Sequence, residues 1–219
     1  MKDFDRAALS AILSQGAGDL SLSLSDSQIT KLMDYLVLLS KWNAVYNLTA
    51  VRDPAQMVTQ HLLDSLAAVS AFAGANNVLD VGAGGGLPGI ILAIWAAEAQ
   101  PAMQISMIDT VHKKTAFLTQ VKAELALANV RVYTARVEEW QAPQKFDVIT
   151  SRAFAELSDF VSWTSHLLTD KGRYIALKGV LPAAEISALP PGWVAAEVRT
   201  LQVPTLSAER HLIFIERAA

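Results

Sequence analysis

The sequence predicts an α/β protein with a mostly parallel seven-stranded sheet, helices on both faces of the sheet, and a helical N-terminal extension. Three observations support this fold class. Residues 1–73 show helical periodicity only. From Asn77 onward, short apolar segments alternate with helical segments, which is typical of a parallel sheet covered by helices. The last two predicted strands have no long helix between them, so one of them is expected to run antiparallel.

Within the extension, two helix starts are indicated by capping patterns. Ser25 followed by Gln28 fits a capping box. Apolar residues then recur at helical spacing: Ile29, Leu32, Met33, Leu36 and Leu39. Asp53-Pro54 fits an N-cap followed by proline at the first helical position, and a helix with an apolar face is expected from about residue 57 to 72. We therefore divide the chain into an extension, 1–73, and a sheet-bearing domain, 74–219.

The second part supplies the strands and helices of the sheet in alternation. The predicted strands cover residues 77–81, 104–109, 130–135, 146–151, 172–178, 193–203 and 210–217. The predicted helices cover residues 89–99, 113–127, 157–168 and 182–189.

Composition and charge exclude several classes of protein. The net charge is −3, so no overall field draws the chain to nucleic acid or membrane, and a polyanionic partner would need a local basic patch. The chain has no cysteine, which excludes a disulfide framework and a thiolate metal site. The longest apolar run is about half the length of a membrane-spanning helix, and the N-terminus lacks the apolar segment of a signal peptide. These features predict a cytoplasmic protein without a metal site.

A glycine-rich segment, "VGAGGGLPGI", follows the first predicted strand directly. Ligands of open parallel sheets bind beyond the carboxyl ends of the strands, and glycine lets the backbone approach a ligand closely. Residues 84–89 match the pattern G-x-G-x-x-G, which is weak when it stands alone. A ligand loop is the preferred interpretation, and a tight turn without a ligand is the alternative.

Asp80 indicates which ligand this loop binds. It lies two residues before Gly82, inside an apolar strand. A dinucleotide site presents backbone N–H groups to a pyrophosphate, which a carboxylate at this position would repel. S-adenosylmethionine carries an ammonium and a sulfonium and no phosphate, so Asp80 is predicted to contact its charged end.

Two further acids follow neighbouring strands. Asp109 ends the second strand, where a carboxylate can accept hydrogen bonds from ribose hydroxyls. Glu138 follows the third strand, where it could accept from the adenine amino group while Val137 packs on the ring. For Asp109 the alternative is an N-cap of the helix that follows, a role that it could combine with binding the ribose. For Glu138 the alternative is an ordinary exposed acid.

The motifs along the chain resemble one known family. They are "KWNAVYNLTAVRDP", "HLLDSL", "VLDVGAGGGLPGI", "ARVEEW", "SRAFAEL", "ALKG" and "ERHL". In this order, from about Leu20 to Glu216, they resemble the bacterial 16S rRNA guanine-N7 methyltransferases called RsmG or GidB. Two departures are minor: "GAGGG" lacks a proline that relatives often carry, and Ala135 replaces a frequent serine. The resemblance implies a Rossmann-like S-adenosylmethionine-dependent methyltransferase fold with a helical N-terminal extension.

The resemblance also implies a reaction and a set of residues. The expected reaction is methylation of N7 of one guanine in the 530 loop of 16S rRNA, position 527 in common rRNA numbering. Positions expected to bind the cofactor are Gly82, Leu87, Val137, Glu138 and Arg152, in addition to Asp80, Gly84 and Asp109 from the residues themselves. Arg152 could instead donate to guanine O6, or simply pair with a surface acid. No residue is assigned a chemical step with certainty.

The chemistry of N7 methylation agrees with what the sequence lacks. Methylation of pyrimidine C5 needs a cysteine nucleophile, and the chain has none. Adenine amino methylation commonly uses an Asn-Pro-Pro-aromatic loop after the fourth strand, where this chain has "TSRAF". Guanine N7 has a free lone pair and no proton to lose. The alternatives are methylation of another nucleotide, a nicotinamide-dependent oxidoreductase, and a non-catalytic RNA-binding module.

The expected partner is 16S rRNA within a small-subunit particle or assembly intermediate, bound by a monomer. A basic rim around the cofactor mouth is predicted from Lys41, Arg52, Arg136, Lys178, Arg210 and His211. Each of these residues alone could equally be a solvated surface charge. His61, Asp64 and Ser65 share one helical face and could form either a binding surface or a polar contact between helix and sheet.

Overall fold

The computed structural model describes residues 4–218. The extension begins with two long helices, α1 (Arg6–Asp19) and α2 (Asp26–Tyr46). The side chain of Ser25 accepts from the Gln28 backbone N–H and the Gln28 side chain accepts from the Ser25 N–H, so the predicted capping box is confirmed. Asp53 accepts from two backbone N–H groups at the start of α3 (Pro54–Met57), as its position before proline predicts.

The helix predicted from about residue 57 to 72 is not continuous. After α3 the chain forms a π-helix, Val58–Leu63, then α4 (Asp64–Leu66), and a 3₁₀ turn, Val69–Phe72. A π turn widens the backbone to i→i+5 hydrogen bonds and often occurs at functional sites. Here it presents the Gln60 carbonyl, His61 and Asp64 to the carboxyl edge of the sheet.

Seven strands form one sheet. They are β1 (Asn77–Val81), β2 (Gln104–Asp109), β3 (Val130–Thr134), β4 (Phe146–Arg152), β5 (Leu168–Lys178), β6 (Trp193–Thr200) and β7 (His211–Arg217). Their order is β3-β2-β1-β4-β5-β7-β6. The first five strands pair in parallel, and β7 pairs antiparallel with both β5 and β6. The α/β fold class and the antiparallel pairing at the end of the chain are confirmed.

Four helices complete the sheet-bearing part: α5 (Gly89–Ala99), α6 (His112–Glu124), α7 (Leu157–Thr164) and α8 (Ala183–Ser187). The buried apolar residues form two clusters. The first joins the extension to α5, α6 and one set of strand side chains. The second joins α7 to strand side chains that include Leu79, Ile149 and Ile213. Because the extension and the sheet share the first cluster, the domain boundary near residue 74 stays a prediction.

Candidate active site

A glycine loop, residues 82–88, joins β1 to α5 at the carboxyl edge of the sheet. Gly82 has φ +67° and Gly86 has φ +87°, a region that L side chains rarely adopt. A Cβ on Gly82 would collide with the Phe154 ring, and one on Gly86 would lie 2.8 Å from a methyl of Leu118. Both glycines are therefore required by the turn and by packing, whatever ligand the loop faces.

Asp80 lies behind this loop and is fully buried. Its Oδ2 accepts from the Gly89 N–H at 2.9 Å and so supports the first turn of α5. Its Oδ1 is buried and has no hydrogen-bond partner among residues 4–218. Burial raises the pKa of Asp80 from 3.8 to about 7, although the Gly89 N–H and Arg152 oppose that rise. Asp80 thus supports the loop from beneath, and its contact with a ligand stays a prediction.

Asp109 reaches the loop from the end of β2. Its Oδ1 accepts from the Val111 N–H at 2.9 Å, and its Oδ2 accepts from the Gly84 N–H at 3.1 Å. Lys114 Nζ lies 3.5 Å from Oδ2. The alternative role of N-cap is wrong, because α6 begins at His112 with Val111 before it. Asp109 fixes the turn before the helix and one side of the glycine loop.

The acidic cavity, as we call it, has a volume of about 370 Å³ and lies beyond β1, β2 and β3. Of the predicted cofactor residues, it is lined by Gly82, Asp109, Val137 and Glu138. Asp80, Gly84 and Leu87 do not line it, and Leu87 is buried within the loop. The structure therefore brings together the three strand ends that the sequence singled out, with the loop as a wall.

Other residues of the acidic cavity have no clear signal in the sequence. Phe154 and Trp163 form an aromatic wall, with ring centroids 5.9 Å apart. Glu138 is partly exposed and pairs with Arg136 at 2.9 Å. Phe154 lies in the "SRAFAEL" motif, and this motif is a sequence signal for it. Trp163 lies on a helix whose sequence shows only an amphipathic pattern.

The residues of this cavity fit S-adenosylmethionine. Asp109 and Glu138 offer acceptors for hydroxyl and amino donors, and the aromatic wall with Val137 offers apolar contact. Behind the loop, Asp80 adds a carboxyl with an acceptor that no described residue satisfies. Asp80 and Asp109 beside the glycine loop disfavour a phosphate there and suit a cationic group, while Lys114 and Arg136 balance the two acids that line the cavity.

The arginine cavity adjoins the acidic cavity and has a similar volume of about 370 Å³. It is lined by Gln60, His61, Asp64, Arg152, Ala153, Leu177, Lys178, Gly179, Leu201, Arg210 and His211. Ala153 lines both cavities and has φ +52°, an uncommon conformation for alanine. The two cavities are therefore separated by a short and strained piece of backbone after β4.

Arg152 belongs to the arginine cavity and does not line the acidic one. Its Nη1 donates to Asp64 Oδ2 at 2.8 Å and to the Gln60 carbonyl at 3.1 Å. The other oxygen of Asp64 accepts from Arg210 Nε at 2.7 Å, and Asp64 itself is buried. A carboxylate from α4 thus holds the Arg152 side chain in the cavity that adjoins the acidic one, and contact of Arg152 with the cofactor stays a prediction.

His61 completes this network. Burial, and then the charge of Arg152, lower the pKa of His61 from 6.5 to about 4, so the ring is neutral near pH 7. Its Nδ1 lies 3.5 Å from Arg152 Nη2, and its Nε2 lies 2.9 Å from Thr49 Oγ1. Of the two roles left open for His61 and Asp64, the structure favours the polar contact between helix and sheet.

The six basic residues predicted to form one rim lie in three places. Lys178, Arg210 and His211 line the arginine cavity, and Arg136 lines the acidic cavity. Lys41 and Arg52 line a third cleft of about 910 Å³ between α2 and residues 50–57. The six residues are thus divided among three cavities, and both a common rim and contact with RNA stay predictions.

Within residues 4–218, no helix combines the length and apolarity needed to cross a membrane. The same residues contain no group of three or more potential metal ligands.

Comparison with known proteins gives a consistent result. A family model described as GidB, rRNA small subunit methyltransferase G, matches residues 28–213. The chain is 78% identical over 217 residues to the Ribosomal RNA small subunit methyltransferase G of Janthinobacterium sp. (strain Marseille), with 99% of each chain covered.

Solved structures agree on the fold at low sequence identity. A putative O-methyltransferase from Klebsiella pneumoniae superposes with a TM-score of 0.58 at 14% identity, covering 98% of this chain and 99% of that one. A SAM-dependent methyltransferase from Thiobacillus denitrificans, in complex with S-adenosyl-L-homocysteine, gives a TM-score of 0.50 at 13% identity, covering 71% and 90%. These likenesses show a Rossmann-like methyltransferase fold.

Proposed function

The chain belongs to the GidB family, rRNA small subunit methyltransferase G, and we propose that it methylates N7 of a guanine in the 530 loop of 16S rRNA. Its cofactor is S-adenosylmethionine, which supplies an electrophilic methyl group on a sulfonium when bound. The observation that carries the proposal is the pair of adjoining cavities. One fits this cofactor, the other presents arginines, and both meet at Ala153.

We assign the cofactor to the acidic cavity. Asp109 and Glu138 would hold its hydroxyl and amino donors, and Val137 would pack on its flat base. Gly82 has a positive φ and no Cβ, so its backbone lies directly against the Phe154 ring in the wall of the cavity. Asp80 acts from behind the loop. Its carboxylate contributes charge, and its Oδ2 accepts from the Gly89 N–H at the start of α5.

We assign the guanine to the arginine cavity. Nη1 of Arg152 is held by Asp64 and Gln60, and its Nη2 lies 3.5 Å from His61 Nδ1, so the plane of the guanidinium is fixed within the cavity. A planar fork of donors matches the O6 and N7 edge of guanine. For a reacting N7, the donor must hold O6 and leave the N7 lone pair free, so the role of Arg152 is to orient the base.

The proposed reaction requires little acid–base catalysis by the protein. N7 attacks with its lone pair, no proton leaves the base, and the positive charge passes from sulfur to the methylated ring. His61 is neutral near pH 7 and is tied to Thr49 and Arg152, which suits a role in holding the arginine. Alignment of the two cavities is then the main contribution of the chain.

We further propose that the substrate is a folded small-subunit particle or an assembly intermediate, bound by a monomer. The net charge of −3 gives no general attraction to RNA, so binding must depend on shape and on a few local cations. Lys41 and Arg52 at the third cleft, with Lys178, Arg210 and His211 at the arginine cavity, are the candidates for phosphate contacts.

The test uses small-subunit particles from a strain that lacks this modification. Incubation with methyl-labelled S-adenosylmethionine, digestion to nucleosides and mass spectrometry should give N7-methylguanosine, and chain cleavage at that base should map it to the 530 loop. Label on another base or in another loop would replace this proposal by the alternative of a different nucleotide target. Equal labelling of a short unstructured oligonucleotide with the same guanine would contradict the proposed need for a folded particle.

A further inference from the structure

Tyr35, in the middle of α2, connects the helical extension to the glycine loop. Its side chain is fully buried, and its hydroxyl donates to the Gly85 carbonyl at 2.7 Å. Leu39, one turn further along α2, lies against the same glycine, 3.5 Å from where a Cβ would stand. A buried tyrosine hydroxyl usually finds a partner, but here the partner is the tip of the loop beside the cofactor cavity.

The loop is held from two opposite sides at adjacent residues. On the side of the acidic cavity, Asp109 accepts from the Gly84 N–H at 3.1 Å. On the side of the extension, Tyr35 donates to the Gly85 carbonyl. Between and after these contacts, Gly84 and Gly86 both have positive φ, so the backbone here is intrinsically free to adopt other turns. These two side-chain hydrogen bonds act together with the loop's backbone hydrogen bonds, such as the one from Gly86 N–H to the Ala83 carbonyl, to hold one conformation.

The helix that carries Tyr35 is itself anchored at both ends. Near its start, Gln28 Nε2 donates to the Trp95 carbonyl of α5 at 3.1 Å. Near its end, Trp42 Nε1 donates to Gln120 Oε1 of α6 at 3.0 Å. The hydroxyl of Tyr35 is therefore presented from a rigid support, as a residue that orients another group needs to be.

We infer that Tyr35 is a positioning residue for cofactor binding, which makes the extension a working part of the cofactor site. It acts through Gly85 and does not itself line the acidic cavity. Without its hydroxyl, the loop occupies the binding conformation for a smaller fraction of the time. The apparent affinity for the cofactor falls by that fraction, while a bound cofactor still reacts normally. This inference rests on the proposed function, because it takes the acidic cavity as the S-adenosylmethionine site.

The test compares Tyr35→Phe with Tyr174→Phe. Both residues are fully buried, and each substitution removes one hydroxyl and little volume. The Tyr174 hydroxyl lies 3.4 Å from the Val161 carbonyl and from Thr164 Oγ1, on the other face of the sheet. Calorimetry with S-adenosylhomocysteine should show a Kd raised about three- to tenfold for Tyr35→Phe and within twofold of the unaltered protein for Tyr174→Phe.

Two further readouts separate positioning from general stability. Amide hydrogen exchange of residues 82–89 should quicken in ligand-free Tyr35→Phe and not in Tyr174→Phe. In the methylation assay, KM for S-adenosylmethionine should rise while kcat at saturating cofactor stays within twofold. Unchanged exchange in the loop, unchanged Kd, or an equal loss of affinity in both variants would overturn the inference. Failure of the unaltered protein to bind S-adenosylhomocysteine would instead overturn the proposed function, and loop exchange would still decide the part of Tyr35.

Discussion

The acidic cavity and the arginine cavity lie side by side at one edge of the sheet, but their charges are held differently. In the acidic cavity, Asp109 and Glu138 face Lys114 and Arg136, so the lining charges balance while Asp80 stays buried behind the loop. In the arginine cavity, a single acid, Asp64, binds Arg152 and Arg210 at once.

This difference indicates how one edge of a sheet can serve two ligands of opposite character. A surplus of positive charge remains where Asp64 is shared by two arginines, whereas the charge of Lys178 in the same lining is balanced by Glu185 at 2.7 Å. That surplus suits RNA, whereas the acids around the glycine loop suit a cationic cofactor. The residue that the two cavities share, Ala153, carries no charge, so neither ligand is disfavoured where the two must meet.

The largest effect is expected in the arginine cavity, from Arg152→Gln. This change keeps a polar side chain but removes the planar fork, so base orientation should suffer. The single-turnover rate at saturating cofactor and RNA should fall by roughly tenfold to a thousandfold. Cofactor Kd, measured by calorimetry, should change less than threefold, because Arg152 does not line the acidic cavity.

The control for this change is Arg199→Gln. Arg199 likewise pairs with an acid, Glu197, through two hydrogen bonds, but it lies on β6 and lines neither cavity. It should leave the rate unchanged. If Arg152→Gln weakens cofactor binding as strongly as it lowers the rate, the arginine holds the cofactor carboxylate and the division of labour between the cavities fails.

The next largest effect is expected in the acidic cavity, from Asp109→Ala. Loss of an acceptor for ribose hydroxyls, together with loss of the Gly84 contact, should raise the cofactor Kd more than tenfold. Asp147→Ala is the matched control, because Asp147 also accepts from two backbone N–H groups, those of Asn76 and Asn77, but at the opposite, N-terminal end of β1. It should lower the thermal stability and leave the cofactor Kd within twofold. Equal Kd values for the two variants would remove the cofactor from this cavity.

These two cavities also show how far the sequence could be read. Asp109, Val137 and Glu138 could be predicted because the carboxyl ends of parallel strands necessarily meet at one edge. The place of Arg152 could not, because Asp64, which draws it away, comes from a helix 88 residues earlier in the chain. Tyr35 gave no signal either: its position is apolar in the helical pattern, and only its tertiary partner makes its hydroxyl meaningful.

A smaller effect is expected from the titration of Asp80, and it tests the electrostatic difference between the two cavities. In the folded, ligand-free protein its pKa is about 7, and in the unfolded chain it is near 3.8. Between these values the folded state binds more protons than the unfolded state, so the free energy of unfolding should decrease as pH rises from about 4 to 7. Asp80→Asn lacks this titration and keeps an acceptor for the Gly89 N–H.

The measurement is urea unfolding at pH 5 and pH 7 for the unaltered protein and for Asp80→Asn. Between these pH values the unaltered protein should lose about 1–2 kcal/mol more than the variant does. A parallel pH dependence in both proteins would mean that Asp80 is ionised throughout and that its burial is offset by contacts stronger than the Gly89 N–H. The charge beneath the glycine loop would then be permanent rather than dependent on a bound cation.

The last expectation is the absence of an effect: the rate of the methyl-transfer step should not depend on pH. Single-turnover rates at saturating cofactor and RNA should be nearly flat from about pH 6.5 to 8.5, because methylation of N7 moves no proton. His61 cannot impose a bell in this range, since its pKa of about 4 keeps it neutral throughout. Alanine at His61 or His211 is expected to affect only RNA binding or stability and to leave the pH profile of the rate unchanged. A rate that rises tenfold per pH unit, and loses that slope in one of these variants, would show that a proton is taken from the acceptor. The arginine cavity would in that case hold an amino or hydroxyl acceptor. It would then do more than orient the base, and the proposed contrast with the cavity that binds the methyl donor would fail.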